Sequence, residues 1–193
     1  VVVGVSAAGA EAGQTAGSAW AKASAMNAVT DKTGVTATAI TVATGTSAIT
    51  AGTFDTNDTA AASMVINGID IGNVTIQAND QDGALRNAIN AKSDDTGVIA
   101  TLDGGKLVLT ANDGRDIKLD SNDGITSDAI MHLGDNSADL IYSGKLTVTA
   151  ESEINIQEGA AGSTGFAELG KDRDISLGNA ADTVNVLTRE DAE

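Results

Sequence analysis

The sequence contains no cysteine and no proline, and only four of its 193 residues are aromatic. The absence of cysteine excludes a disulfide framework and any metal site built from thiolates. The few rings, Trp20, Phe54, Tyr142 and Phe166, leave a core made mainly of Ala, Val, Ile and Leu. Because a core of small side chains is thin, the composition favours two small hydrophobic cores over one large one.

Basic residues and long apolar runs are also scarce. The chain has 11 Lys and Arg against 27 Asp and Glu, a formal net charge of −16 at pH 7. Nucleic acids and anionic membranes bind basic surfaces, so this charge argues against both as partners. No apolar run reaches the length of about 18 residues that spans a bilayer. Residues 1–13 lack the basic N-terminal region of a secretory signal peptide, so they are not one. Because the sequence has no initiator methionine, we interpret the chain as part of a longer protein.

A duplicated stretch is the strongest pattern present. Residues 20–38 align without a gap on residues 83–101 at an offset of 63, and ten of the 19 aligned positions are identical. The identities include Asn27 and Asn90, and also the two Thr-Gly-Val turns at 33–35 and 96–98. The chain therefore holds one supersecondary unit twice.

The second copy has the clearer surroundings. Asn67-Gly68 lies between two short apolar runs, which predicts a tight hairpin with positive φ at both turn residues. Leu85, Ala88 and Ile89 then follow helical spacing, with Asp80 or Asp82 as the helix cap and Gly97 as its stop. Three strands should follow, at Val98–Leu102, Lys106–Thr110 and Asp116–Leu119. The predicted unit is a hairpin, a helix and a short meander.

The same template applied to the first copy predicts a strand at Val1–Val5, a helix at Ala16–Val29 and a strand at Val35–Val42. A polar stretch, Ala43–Ala62, replaces the expected meander, and a matching strand returns only at Lys145–Ala150.

The second unit is therefore interpreted as an insertion into the first. The sequence predicts a strand-rich α+β fold of two small domains. One is discontinuous, residues 1–42 plus 143–193, and the other is the inserted domain, residues 43–142.

Four acidic loops raise the possibility of calcium binding. They are Asp55–Asp58, Asn79–Gly83, Asn112–Gly114 and Asp120–Gly124. An EF-hand loop needs an acidic first position and a glutamate at position twelve, which the Asn79–Gly83 loop lacks. Helix capping and turn formation explain these carboxylates better.

Catalysis finds no support in the sequence. His132 is the only histidine, so a His-Glu-x-x-His zinc site is impossible, and no Gly-x-Ser-x-Gly elbow is present. We interpret His132 as a structural residue at the end of a short apolar helix. Trp20 is interpreted as packing between helix and sheet, with contact to a saccharide or partner as the alternative. The sequence predicts no enzyme, no catalytic or metal-binding residue and no cofactor.

Taken in order, these residues resemble the middle region of a bacterial flagellin. The resemblance rests on residues 21–37, the hairpin at 66–71, the strands at 105–107 and 114–117, and the closing residues 184–192. It implies a structural, non-catalytic role in motility, as the antigenic variable surface of an extracellular flagellar filament. Its implied partners are other flagellin subunits, contacted through terminal helices of the parent protein that this chain lacks, so the chain alone should be a monomer.

Two alternatives stay open. Flagellar cap and hook-associated proteins carry a similar hairpin-helix unit. An extracellular binding module or adhesin could use the same scaffold to hold saccharide or calcium. A cluster of aromatic or acidic side chains would favour binding, whereas dispersed charges would favour a filament surface.

Overall fold

The fold is a strand-rich α+β arrangement, as the sequence predicts. A computed structural model describes residues 1–55, 64–120, 129–134, 139–151 and 176–179. The helices are α1 Ala19–Asn27, α2 Thr30–Thr33, α3 Ala84–Asn90 and α4 Ser93–Thr96, with a 3-10 turn at Ala78–Asp80. The strands are β1 Thr36–Thr44, β2 Gly52–Phe54, β3 Val65–Ile66, β4 Ile69–Asp70, β5 Val74–Ile76, β6 Ile99–Asp103, β7 Lys106–Ala111, β8 Ile117–Asp120, β9 Asp139–Tyr142, β10 Lys145–Ala150 and β11 Ser176–Asn179. None of the helices in these ranges is long and apolar enough to cross a membrane.

The strands form three sheets. The largest has five strands in the order β11-β10-β1-β7-β6, a second has four in the order β4-β3-β8-β9, and β2 pairs with β5 alone. Strand β1 joins the two repeats because its halves have different partners. Its first half, from Thr36 to Ile40, pairs with β10, whereas its second half, from Thr41 to Thr44, pairs with β7.

Two separate groups of buried side chains accompany this division. The smaller contains Ala23 and Met26 from α1, packed against Ala37 of β1 and Leu146 and Val148 of β10. The larger is built on the second repeat, where Leu85 and Ile89 of α3 are completely buried. At the position of the first repeat that aligns with Leu85, Lys22 is only half-buried. Burying a leucine side chain stabilises a fold by about 2 kcal/mol, so the second core is the stronger one.

The hairpin of the second repeat and the paired strands β6 and β7 form as predicted, but the predicted meander is wrong. Strand β8 does not pair with β7; it pairs with β3 of the hairpin and with β9, in the four-stranded sheet. Asn67 and Gly68 have φ values of 51° and 83°, the left-handed geometry of a tight turn between β3 and β4. The predicted helix stop at Gly97 has the left-handed geometry, with a φ of 71°, but it follows the short helix α4, because α3 already ends at Asn90. Gly34, which aligns with Gly97 in the first repeat, has a φ of 67°.

Three predictions for the first repeat need correction. Residues 1–5 form no strand, and Val1, Val2 and Val5 are exposed because no neighbouring strand in the described ranges pairs with them. The helix predicted at Ala16–Val29 begins only at Ala19, because Ser18 caps it by accepting the Ala21 N–H at 3.2 Å. The polar stretch Ala43–Ala62, in which the sequence predicts no strand, contains β2.

The division into an inserted domain, 43–142, and a discontinuous one, 1–42 plus 143–193, stays a prediction. The change of partner along β1 falls at Ile40 and Thr41, close to the predicted boundary. Residues 56–63, 121–128, 135–138, 152–175 and 180–193 lie outside the described residues, and so does most of the predicted C-terminal part.

Candidate functional site: the polar junction between the repeats

Each repeat carries an asparagine that bonds to the edge of a strand. In the first, Asn27 Nδ2 donates to the Ala37 carbonyl at 2.8 Å and Asn27 Oδ1 accepts the Ala37 N–H at 2.7 Å. In the second, Asn90 makes the same two bonds to Ala100, at 3.0 and 2.7 Å. An amide side chain thus satisfies a backbone donor and acceptor that a neighbouring strand would otherwise pair. The identity of Asn27 and Asn90 in the alignment reflects this shared role.

We expect the two asparagines to differ in importance because their exposure differs. Asn90→Ala should lower the free energy of unfolding by about 2 kcal/mol. Asn90 is half-buried, and its loss leaves the buried N–H and carbonyl of Ala100 without their partner. Asn27→Ala should cost about 1 kcal/mol, because water reaches this exposed position. Denaturant unfolding of each variant measures both values.

A matched control lies on the same helix as Asn90. Asn87 is exposed, and alanine there should change stability by less than about 0.5 kcal/mol. Equal losses for Asn90→Ala and Asn87→Ala would contradict the edge-bonding role.

The Asn67 side chain holds the β3–β4 hairpin against the second repeat. Asn67 is 8% exposed; its Nδ2 donates to the Thr96 carbonyl at 2.9 Å and its Oδ1 accepts the Lys118 N–H at 2.8 Å. The Asn67 N–H also donates to the Lys118 carbonyl at 2.8 Å. One residue therefore supplies the turn geometry and connects the hairpin to α4 and β8.

The densest polar contact lies between residues 9–18 and the loop 112–116, which we call the junction. Thr15 Oγ1 donates to Asp116 Oδ2 at 2.6 Å, and the Asp116 N–H donates to the Gly13 carbonyl at 2.8 Å. Gln14 Nε2 donates to Asp113 Oδ2 at 3.3 Å. These bonds join residues about one hundred positions apart, so they connect the start of the first repeat to the end of the second.

Arg115 is the central side chain of the junction. Arg115 is 9% exposed, and its Nε lies 3.1 and 3.0 Å from the two carboxylate oxygens of Asp113. Its Nη1 donates to the Ala12 carbonyl at 3.0 Å and to the Thr96 carbonyl at 3.4 Å. A buried guanidinium is tolerated because it is paired and its donors are used. Arg115 therefore contacts both sides of the junction at once.

Strand β1 supplies a second contact to the same loop. Thr41 is fully buried where β1 changes partner, and its Oγ1 donates to the Arg115 carbonyl at 2.6 Å. The Trp20 N–H donates to the Gly114 carbonyl at 2.9 Å. Bonds on two sides of the loop restrain the relative motion of the two repeats.

Where the structure describes the acidic loops, their carboxylates form hydrogen bonds that stabilise turns and cap helices. Asp80 is 2% exposed, and its Oδ1 and Oδ2 accept the N–H groups of Leu85 and Arg86 at 2.9 and 3.1 Å. Asp82 Oδ1 accepts the Ala84 N–H at 3.2 Å. Asp80 and Asp82 thus both act as caps of α3, as the sequence suggests.

Within the described ranges, no group of three acidic or His side chains is placed to hold a metal ion. Residues 56–58 and 121–124 of the candidate loops lie outside those ranges.

His132 and Trp20 both lie at structural positions. His132 is half-buried, follows a helical turn at 129–131 and has a φ of 54°, and its carbonyl accepts the Thr46 N–H at 2.8 Å. Trp20 is half-buried, and a methyl group added at Gly9 would lie 2.6 Å from the edge of its ring. The indole therefore lies beside the segment before α1, and its packing between helix and sheet stays a prediction.

The sequence interpretation missed the junction residues Thr15, Thr41, Arg115 and Asp116. Arg115 lies in the turn before β8, where a charged side chain predicts exposure. No local pattern distinguishes it from a solvated turn residue. The repeated Asn27 and Asn90 did carry a signal, because identity at a polar position of a divergent repeat indicates a shared hydrogen-bonding role.

Comparison with known proteins defines the class first. Residues 63–113 match the family model of the flagellin hook IN motif, a range that includes the hairpin, α3, α4, β6, β7 and the start of the junction loop. The second repeat is therefore a flagellin-type module. The chain is 41% identical over 102 residues to flagellin A of Helicobacter felis, an alignment covering 52% of this chain.

Two further relatives come from Helicobacter pylori. Flagellin A is 30% identical over 157 residues, covering 77% of this chain, and flagellin B is 38% identical over 96 residues, covering 49%. The chain belongs to the bacterial flagellin family. It spans only part of these relatives: 18% of the length of Helicobacter felis flagellin A, and 29% and 17% of the lengths of Helicobacter pylori flagellins A and B.

Proposed function

We propose that this chain is the outward-facing variable region of a flagellar filament subunit, with a structural role in motility and no catalytic one. The flagellin hook IN motif at residues 63–113, together with the similarity to three flagellins, is the observation that carries the proposal. The region would lie outside the cell, on the surface of the filament, where it is exposed to antibodies. Its parent would assemble with other flagellin subunits through terminal helices.

The junction supports a structural role on physical grounds. A filament surface moves through liquid under load, so its projecting parts benefit from rigid connections between units. Hydrogen bonds from Arg115, Thr15 and Thr41 join the repeats. The Arg115 and Thr41 side chains are buried, and the bond from Thr15 is short because it ends on a charged carboxylate. In this proposal the discontinuous domain, 1–42 plus 143–193, lies nearer the filament axis and the 43–142 domain farther out.

The proposal is tested with an antibody raised against this chain. Immunogold electron microscopy on intact cells that produce the protein should place gold particles along the whole filament. Antibody absorbed beforehand with the purified chain is the control and should leave filaments unlabelled. Label restricted to the hook, the filament tip or the cell body would contradict the proposal, and a tip-only pattern would indicate a cap protein.

A further inference from the structure

The outer edge of β6 is bonded to side chains of its own repeat. Among the described residues, β6 is the last strand of the five-stranded sheet, where backbone groups would be open to another strand. Asn90 bonds both the N–H and the carbonyl of Ala100, and Thr96 Oγ1 accepts the Val98 N–H at 3.1 Å. Val98 and Ala100 are alternate residues, so these bonds lie on the same side of the strand. Two side chains therefore close the first half of this edge.

The first repeat closes a strand edge in the same way. Thr33 Oγ1 accepts the Val35 N–H at 3.2 Å, and Asn27 bonds both backbone groups of Ala37. Strand β7 pairs with β1 only from Thr41 onward, so Asn27 fills the place beside Ala37 that β7 does not reach. We call this arrangement of an Asn, a Thr and the two residues that they bond the edge clamp. All four of its residues are identical in the two repeats.

The strands beneath the edge clamps have the composition of segments that pair readily with other chains. Residues 35–44 and 98–102 contain no charged residue, no proline and no glycine. Ten of these 15 side chains are β-branched, which favours extended backbone. An open edge on such a strand is a place where copies of a chain add to one another. These two strands therefore need their edges closed.

Without Asn90, the β6 edges of two copies would fit each other in antiparallel register. Bonding direction alternates along a strand, so the backbone groups of Leu102 face the same side as those of Ala100. With Thr101 of the two copies opposite each other, Ala100 of each copy would exchange two bonds with Leu102 of the other. This arrangement is two-fold symmetric, so it closes as a dimer. Asn90 occupies half of the bonding positions that such a dimer would use.

We propose that the edge clamps keep the strand edges of this chain closed to other copies of it, with Asn90 closing β6 and Asn27 closing β1. A second copy could bond to Ala100 only by displacing the Asn90 amide, so it would gain no net hydrogen bond there. The identity of the clamp residues in two otherwise divergent repeats follows from this shared task. The inference concerns the chain alone and does not depend on the proposed function.

Asn90→Ala tests the proposal because it opens the β6 edge. Sedimentation equilibrium at concentrations up to about 0.5 mM should show a monomer for the unaltered chain, and association at least about tenfold stronger for the variant. Amide hydrogen exchange of Leu102 should slow as the concentration of the variant rises, since a partner strand would then bond its N–H. Asn90→Ser is the second variant if the alanine variant does not fold, because a hydroxyl can hold only one of the two Ala100 groups.

Three further variants separate edge pairing from a general loss of stability. Asn87→Ala, exposed on the same helix, should stay a monomer. Ile89→Val removes a buried methyl group and leaves the edge closed, so it should lower stability without causing association. Adding Thr101→Glu to Asn90→Ala should restore the monomer, because two glutamates would lie opposite each other across the contact. Thr101 is exposed, so this change should leave the fold intact.

Urea unfolding of each variant checks that it is folded. The proposal is overturned if the folded Asn90 variants stay monomeric over the whole concentration range. It is also overturned if Ile89→Val associates as strongly as Asn90→Ala, since partial unfolding would then be the cause. Association that persists after Thr101→Glu is added would place the contact elsewhere and would overturn the proposal as well.

Discussion

Replacing Gly97 with alanine should lower the free energy of unfolding by about 3 to 4 kcal/mol. Gly97 has a φ of 71°, a conformation that costs a residue with a Cβ about 1 kcal/mol. A methyl group there would also overlap the guanidinium of Arg115. Because Arg115 is held by Asp113 and two backbone carbonyls, it can move away only by giving up bonds of the junction. The loss is measured by denaturant or thermal unfolding.

The first repeat supplies the control for this prediction. Gly34 aligns with Gly97 and has nearly the same φ, 67°, but no atom lies within 4 Å of a methyl group added there. Gly34→Ala should therefore cost only the conformational strain, about 1 kcal/mol. If both variants lose the same stability, the packing of Arg115 against Gly97 contributes nothing and the junction is weaker than its bonds indicate.

Asn67→Ala should cost about 3 kcal/mol or more, and it is the second large effect expected. The substitution removes the bonds to the Thr96 carbonyl and the Lys118 N–H, leaving both backbone groups unpaired beneath the hairpin. It also places alanine at a φ of 51°. Asn67→Gly keeps the backbone freedom while losing the same bonds, so it should cost about 1 kcal/mol less.

Asn79 separates the two contributions. It also has a positive φ, 59°, but is exposed. Asn79→Ala should therefore lose about 1 kcal/mol, the conformational part alone. Urea unfolding of the three variants should rank Asn67→Ala as the least stable, then Asn67→Gly, then Asn79→Ala. An Asn67→Ala variant as stable as Asn79→Ala would show that the side-chain bonds of Asn67 carry little energy.

Local chemistry explains why the second repeat was predictable. The Asn67-Gly68 hairpin, the Leu85 and Ile89 spacing and the Gly97 stop each depend on a few neighbouring residues. The strand predicted at Val1–Val5 was wrong for the opposite reason. β-branched residues favour a strand, but a strand also needs a partner, and the described ranges offer those valines none.

The sequence by itself determined the repeated unit, its turns and caps, and the resemblance to flagellins that the comparisons confirm. These follow from residue types at fixed short spacings. The tertiary structure alone decided that β1 is shared between β10 and β7, that Arg115 is buried, and that Thr15 and Asp116 meet across 101 positions. Such contacts depend on how the two repeats pack, and no window of neighbouring residues contains both partners.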